Sequence, residues 1–305
     1  MSQDILDPSQ TVTSRNPKGL KFMSISSAKY DKARLYDEEA KGVNYAPGLA
    51  DPIGHFIAEN RVNNRYKDEE VCSDYSYPPG YEDPKPIGEQ ANILAKIFDL
   101  SLGGTEEYIE KVLPTLILPE GAEGWFAIPS VDAVSLRFFP EVKDPAEKYC
   151  CAVQLVLEKI KKSRKFYNYR DGEIDPAHLR MHACTAHAFD LIAEKQRSDI
   201  LIIPSQFGKH HAGRSVRRAR EGMEHGEFGH GSFAVGSLLL VHPERLVRYK
   251  ELDVDCPGDE FSPGADRRFF GAPYFDFRGG GVGFDAGWIN DPRGYYGSAS
   301  GFVLQ

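Results

Sequence analysis

The sequence has few cysteines and no long apolar run, and both shortages limit the class of protein. Its five cysteines are an odd number, and Cys150 and Cys151 are adjacent within a predicted helix. This spacing is not that of a disulfide framework, so we expect free thiols in a reducing, cytoplasmic environment. The longest apolar run, residues 233–241, is too short to cross a bilayer, and the polar N-terminal residues contain no signal-peptide core. We therefore expect no membrane partner.

Positive charge is also in short supply. Lys and Arg together number 37 and Asp and Glu number 45, which gives a net charge of −8. Dedicated nucleic-acid-binding proteins are more often basic overall, so any binding of nucleic acid must come from a local basic patch. The hydrophobic fraction of 41% and the aromatic fraction of 11% are typical of a globular protein and argue against a disordered chain.

The order of the predicted elements indicates an α+β fold around one main core. Apolar residues repeat at helical spacing in residues 87–98, and Asp144, Pro145 and Glu147 form the cap of the clearest helix. Short runs rich in Phe, Asp and Gly begin at residue 253 and predict strands and tight turns. A mostly helical N-terminal and central part therefore precedes a β-rich C-terminal part.

The composition changes near Pro86, where we place a boundary. Residues 1–86 are predicted to form an N-terminal extension with short helices, and its last part, residues 65–86, is a linker rich in Tyr and Pro. Residues 87–305 are predicted to form the main α+β domain. One functional hypothesis concerns this linker. It would bind a partner protein or a second copy of the chain, and in the second case the protein would be a homo-oligomer.

Two local signals predict structure between the central helices. The Asp-Gly pair at residues 171–172 predicts a β-hairpin over residues 166–174. The Asp-Pro pair at residues 175–176 predicts the cap of a helix that runs to about Gln196.

An arginine-rich helix is the strongest candidate for a binding site. Arg214, Arg217 and Arg218 share a helix face at i, i+3 and i+4, so a bound anion would relieve their mutual repulsion. Gly208 and Gly213 flank the start of the helix, where free backbone N–H groups and the helix dipole would favour a phosphate. The predicted partner is a nucleic acid or a phosphorylated small molecule, and the alternative is that these arginines pair with acids of the protein itself. The predicted anion-binding residues are Lys209, His210, His211, Arg214, Ser215, Arg217 and Arg218.

A second candidate is a metal site on the predicted helix that ends near Gln196. His178 and His182 lie at i and i+4, a spacing that lets two histidines share a divalent metal on one helix face. Leu179 stands where the H-E-x-x-H motif has its catalytic Glu, so the sequence lacks that zinc-protease motif. The alternative is that both histidines are structural. The candidates for a third ligand are His210, His211, His225 and His230.

The acidic stretch at residues 253–260 is a further candidate. Asp253 and Asp255 share a face of a predicted strand, and Asp259 and Glu260 follow a Pro-Gly turn. Oxygen ligands suit Mg²⁺ or Ca²⁺, although the spacing differs from that of a calcium-binding loop. In the hypothesis of a metal-dependent hydrolase, Asp255 or Glu260 is the base. The alternatives are a solvated turn and ion pairs between these acids and the arginine helix.

Four strings of the sequence resemble a family of uncharacterised hypothetical proteins from uncultured bacteria. They are E-G-W-F-A-I-P at residues 123–129, G-R-S-V-R-R-A-R-E at 213–221, H-P-E-R-L-V-R at 242–248 and Y-G-S-A-S at 296–300. The resemblance extends from about residue 84 to the C-terminus. It implies no catalytic residue, cofactor or ligand, because the family has no assigned activity.

Overall fold

The structure is a computed structural model, and it describes residues 65–223, 226–264 and 268–304. The short helices predicted before residue 65 and the candidate ligand His225 lie outside the described residues. From Asn64 onward the chain forms one compact unit. Among the described residues, no helix has the length and apolar character needed to span a membrane.

Helices and β-sheets both occur in the described residues, which confirms the predicted α+β fold. The helix predicted from the periodicity of residues 87–98 is α1, and the helix capped by Asp144 is α4. The Asp144 carboxylate accepts hydrogen bonds from the backbone N–H groups of Ala146 and Glu147, as its sequence position predicts. The helices are α1 (Ile87–Phe98), α2 (Gly103–Lys111), α3 (Val131–Phe138), α4 (Pro145–Ser163), α5 (Ala183–Gln196), α6 (Val216–Gly222) and α7 (Ser232–Val241).

A four-stranded antiparallel sheet forms one side of the core, in the order β1-β4-β11-β5. Every residue of β4 is buried, which agrees with the apolar run that predicted this strand. The strands of this sheet are β1 (Gly124–Pro129), β4 (Ile200–Gln206), β5 (Glu227–Gly229) and β11 (Ser300–Phe302).

The second sheet has the order β10-β6-β8-β7-β3, and β9 pairs with β8 and with β2. It confirms the expected β-rich C-terminal part. The glycines at positions 279 and 280 form the turn between β8 and β9, and both have positive φ angles. The strands are β2 (Phe166–Asn168), β3 (Leu179–Met181), β6 (Asp253–Asp255), β7 (Asp259–Phe261), β8 (Gly271–Arg278), β9 (Gly281–Trp288) and β10 (Tyr296–Ser298).

The two faces of the second sheet differ in chemistry because side chains alternate along each strand. Val254 pairs with Phe275 and both are buried in the core. The next pair, Asp255 and Tyr274, must lie on the opposite face. The acids that the sequence places at every second position of β6 therefore gather on the face away from the core.

The most apolar run of the chain forms α7, which is buried on nearly all sides. A helix that is apolar all round belongs inside a protein rather than at its surface. Gly236 lets α7 approach α4 closely, because a Cβ atom at this position would lie 3.0 Å from Val156. Both helices contribute several residues to the hydrophobic core.

The predictions for residues 166–196 are partly wrong. Residues 166–168 do not form a hairpin with the segment that follows; β2 instead pairs in parallel with β9, which is distant in sequence. The predicted helix from residue 175 starts only at Ala183, because residues 179–181 form β3 and pair with β7. Local turn signals were overridden in both cases by pairing with strands from the C-terminal part.

Residues 65–86 have no helix or long strand, as their composition predicts, but they contact the rest of the unit. Glu70 and Arg214 form an isolated β-bridge, and the Val71 N–H donates to the Gly213 carbonyl. Tyr81 is buried in the main core. The division of the chain at residue 86 stays a prediction.

Candidate functional site

The arginine-rich segment is held by the protein's own glutamates. Arg217 forms an ion pair with Glu69, and its guanidinium lies 4.3 Å from the centre of the Tyr66 ring. Arg214 pairs with Glu70 at 3.1 Å. We name residues 65–71, which bring both glutamates onto α6, the acidic strap.

Arg218 completes this network with two acidic partners. It contacts Glu70 at 3.2 Å and Glu221 at 3.0 Å. Three arginines thus face three glutamates, and the like-charge repulsion that favoured a bound anion is already relieved. Arg220 extends from the same helix to the acidic stretch at residues 253–260, where it donates to the carbonyls of Pro257 and Asp259 and interacts electrostatically with the Asp259 and Glu260 carboxylates. Ion pairs between these acids and the arginine helix stay a prediction.

The start of α6 is also satisfied from within the protein. Ser215 is its N-cap and accepts a hydrogen bond from the Arg218 N–H at 3.1 Å. The Ser215 N–H donates to the Glu69 carbonyl, and the Arg217 N–H donates to the Ile289 carbonyl. The expectation of free N–H groups at this helix start is therefore wrong for these two positions.

His211 lies inside a chain of hydrogen bonds rather than on an anion-binding surface. It is fully buried, with Nε2 2.7 Å from Glu227 Oε1 and Nδ1 3.0 Å from Arg214 Nη1. A guanidinium can only donate, so Nδ1 accepts and the ring proton lies on Nε2, which donates to Glu227. Burial by itself would raise the pKa of Glu227, but the hydrogen bonds from His211 and Ser300 outweigh it and lower the pKa.

His211 and Glu227 also belong, with His210, to the one group of three potential metal ligands found among the described residues. Ligand atoms of His210, His211 and Glu227 all lie within 4.8 Å of one another. A metal on Nε2 of His211 would leave the proton on Nδ1, where it would face the N–H donor of Arg214. This donor set therefore does not fit a metal while Arg214 keeps its place.

His178 and His182 do not share a helix face. His178 precedes β3 and hydrogen-bonds to Asp175 at 3.0 Å, whereas His182 follows β3 as the N-cap of α5. Four residue steps separate the two histidines, about 13 Å along an extended chain against about 6 Å along a helix. The helical geometry on which this predicted metal site depended is wrong, and a divalent metal at either histidine stays a prediction that needs other ligands.

A pocket opens on the polar face of the second sheet, beside the start of α6. Asp255 of β6 and Tyr274 of β8 supply its polar floor, and Tyr296 of β10 contributes another aromatic side chain. We call it the Asp255 pocket. It is lined by Val216, Asp255, Ala272, Tyr274, Gly287, Trp288, Asp291, Arg293 and Tyr296.

The Asp255 carboxyl is the unusual group of this pocket. The residue is 8% exposed, and no described protein group donates a hydrogen bond to its carboxyl oxygens. Burial raises the pKa of Asp255 to about 7, against the effect of the nearby Arg293 guanidinium and with a contribution from the Asp291 carboxylate. Near neutral pH this carboxyl can therefore be protonated or ionised, and it can donate as well as accept a hydrogen bond.

The other charged groups of the pocket compensate each other. Arg293 Nη2 lies 2.7 Å from Asp291 Oδ2, and its guanidinium lies 5.2 Å from the centre of the Tyr296 ring. The ion pair is partly exposed, with 30% of the Arg293 side chain and 45% of the Asp291 side chain accessible. The pocket thus offers charged hydrogen-bonding groups but has little net charge of its own.

Trp288, which follows Gly287 in β9, also contributes to the lining of the pocket. Trp288 is 60% exposed and stacks on Phe270, with ring centres 4.8 Å apart and ring planes within 11° of parallel. The Ile289 N–H donates to the Phe270 carbonyl, which holds the two chain segments together. One face of the indole is covered in this way.

An ion pair beside the pocket positions Tyr296. Its hydroxyl accepts a hydrogen bond from Arg278, and Arg278 also pairs with Asp276 at 2.6 Å. Burial raises the pKa of the neighbouring Asp253 to about 8, with a further contribution from Asp276 and against the effect of Arg278. Asp253, Asp276 and Arg278 lie on the polar sheet face but do not line the pocket.

Sequence reasoning found part of this site. It named Asp255 as a candidate base and placed it on a strand face with Asp253. It did not single out Trp288 or Arg293, because nothing in the local sequence connects the end of β9 with β6. The two acids at alternate positions of β6, together with Asp276 of β8, are the signal that could have pointed to a polar sheet face.

Comparison of the chain with protein-family models, with curated proteins and with solved structures gives no match. The resemblance to uncharacterised bacterial proteins therefore stays a prediction.

Proposed function

We propose that this protein binds a small, uncharged polar molecule in the Asp255 pocket. The observation that carries the proposal is a buried carboxyl that faces a pocket without a hydrogen-bond donor from the described residues. A buried polar group without a partner costs free energy, and a ligand that supplies the partner recovers it. A raised carboxyl pKa in a cleft is also typical of functional sites.

The charges of the pocket support an uncharged ligand. Asp291 and Arg293 already neutralise each other at 2.7 Å, so a phosphate would compete with a carboxylate for the guanidinium. A cation would have to approach that same guanidinium. A neutral molecule with hydroxyl or amide groups meets neither obstacle and can hydrogen-bond to both members of the pair.

The proposal is tested by screening uncharged fragments with protein-observed NMR. Fragments that bind should shift the amide signals of Asp255 and Tyr296, and Asp255→Leu should abolish these shifts because it removes the polar group. Asp171→Asn is the matched control, since Asp171 is an exposed acid in a turn and does not line the pocket. Binding that is unchanged in Asp255→Leu, or that shifts only residues outside the pocket, would contradict the proposal.

Binding of nucleic acid or phosphate by the arginine-rich segment stays a prediction, and the contacts around it do not favour it. An anion would have to displace Glu69 or Glu70 from the arginines. Binding of a labelled oligonucleotide that weakens steeply with salt would support the prediction. Absence of binding at low salt would remove it.

A further inference from the structure

We infer that the end of α4 and the strand that follows it bind single-stranded nucleic acid. Lysines at the end of the helix contact the phosphates, and a base stacks on Tyr169. We name Lys161, Lys162, Lys165, Tyr167 and Tyr169 the lysine–tyrosine surface. None of these five residues lines the Asp255 pocket, so this inference goes beyond the proposed function and does not depend on it.

The sequence concentrates positive charge in this part of an acidic protein. Six of the twelve residues 159–170 are Lys or Arg and none is Asp or Glu, although the whole chain has a net charge of −8. Lys161 and Lys162 lie in the last turn of α4, where the helix dipole favours positive charge. The dipole does not account for Lys165, which follows the helix. An acidic protein that binds a polyanion needs a local patch of this kind.

The structure leaves most of this charge without an acidic partner. Lys161 and Lys162 are exposed, and within the described part of the chain neither has an ion pair. Lys165 Nζ donates to a carbonyl of the β8–β9 turn at 2.9 Å, a neutral group that does not cancel its charge. Arg170 differs, because it pairs with Asp285 at 2.6 Å. The three lysines thus contrast with the arginines of α6, which have glutamate partners.

The pairing of β2 with β9 places two tyrosines beside these lysines. Phe166 pairs with Val282 and packs against the core, so Tyr167 and Tyr169 lie on the opposite, polar face of the sheet. Their ring centres are 6.3 Å apart and their planes differ by 26°. A Cβ atom at position 283 would lie 3.3 Å from the Tyr169 ring, so Gly283 leaves room for the ring against the sheet. Tyr169 is nevertheless 55% exposed.

Positive charge and aromatic surface therefore lie together. Lys165 Nζ is 5.3 Å from the centre of the Tyr167 ring, and Lys161 and Lys162 precede Lys165 by only four and three residues. A single-stranded nucleic acid presents a phosphate and an accessible base face at every nucleotide, which matches this combination. A duplex keeps its bases stacked inside, and an acidic peptide offers charge without a base. These two polyanions are the competing ligands of the test.

The experiment measures fluorescence anisotropy of the full chain with labelled oligothymidylate across a salt titration. The same strand paired with oligoadenylate and a labelled polyglutamate peptide serve for comparison. The single strand should bind more tightly than either. The triple variant Lys161→Gln/Lys162→Gln/Lys165→Gln should lower the slope of log K against log salt by about 2, because each lysine–phosphate contact of a single strand contributes about 0.7.

The aromatic contact is tested separately from the charge. Tyr169→Ala should weaken binding of the single strand about fivefold or more and leave the salt slope nearly unchanged, because stacking of a base does not release counterions. Tyr169→Phe should keep most of the affinity, since it retains a flat ring. In the natural protein, oligothymidylate should shift the amide NMR signals of Lys165 and Tyr169.

Two control variants separate this surface from general effects. The triple variant Lys96→Gln/Lys111→Gln/Lys143→Gln changes the net charge equally at exposed lysines outside residues 159–170, and it should leave the salt slope unchanged. Arg217→Gln tests the arginine-rich segment and should not affect binding. Thermal melts of each variant show that loss of binding is not loss of folding.

Several results would overturn the inference. Absence of binding to oligothymidylate at low salt would do so, as would equal effects of the two lysine triple variants. Binding that is lost in Arg217→Gln but kept in Lys161→Gln/Lys162→Gln/Lys165→Gln would place the site on α6 instead. Equal affinity for the duplex or the polyglutamate peptide, with no effect of Tyr169→Ala, would mean that the surface binds polyanions without recognition of a base.

Discussion

Removal of the Asp255 charge should stabilise the protein, and the gain should depend on pH. Burial raises the pKa of Asp255 from an ordinary value of 3.8 to about 7. A pKa difference of this size between the folded and unfolded states corresponds to about 4 kcal/mol. Because the folded pKa is the higher one, the folded state holds its proton more tightly and ionisation opposes folding. The destabilisation is small below pH 4, grows from pH 4 to 7 and is complete above pH 7.

Asp255→Asn keeps the shape of the side chain but removes this titration. We expect the free energy of unfolding of the variant, relative to the natural protein, to rise by about 3 to 4 kcal/mol between pH 4 and pH 8. Any effect of the amide on stability that does not depend on pH cancels when the differences at pH 4 and pH 8 are compared. Urea unfolding followed by circular dichroism measures both proteins across the range.

The control for this measurement is Asp171→Asn, which removes an exposed acid outside the pocket and is measured over the same pH range. A difference between Asp255→Asn and the natural protein that stays constant from pH 4 to pH 8 would refute the argument. The argument would also be refuted if the stability of Asp255→Asn relative to the natural protein were higher at pH 4 than at pH 8. That result would mean that the folded state favours the ionised carboxyl.

Three further predictions concern the acidic strap and the residues that follow it. Gly213→Ala should destabilise the protein by about 1 to 3 kcal/mol in urea unfolding, because Gly213 has a φ of +80° and a Cβ there would clash with the Val71 carbonyl oxygen. Glu69→Gln should cost about 1 kcal/mol by weakening the Arg217 ion pair, and the loss should vanish in acid, where the natural Glu69 is itself protonated. Cys72 is the exposed cysteine of the described residues, so mass spectrometry should find the first iodoacetamide label there.

The elements that the sequence predicts well are those whose signals are local. The cap at Asp144 and the apolar stripe that follows it are sufficient to define α4, and the apolar run of β4 is sufficient to define a buried strand. The helix predicted from residue 175 failed because the pairing of β3 with β7 involves residues about 80 positions apart. No local propensity contains that information.

The candidate site likewise combines features with a local sequence signal and features that depend on residues distant in the chain. The arginine cluster is visible in the sequence, but its partner Glu69 lies 148 residues before Arg217, so the charges looked uncompensated. The Asp255 pocket needs β6, β8, β9 and the segment around Arg293 to meet. Strand alternation predicts which side chains share a face, but it does not predict which strands become neighbours.

Crystals soaked with the uncharged fragments that bind in solution would test the central claim most directly. The account predicts a ligand in the Asp255 pocket, with a hydroxyl or amide group about 3 Å from the Asp255 carboxyl. Ligands that occupy other surfaces while this pocket holds only water would contradict it.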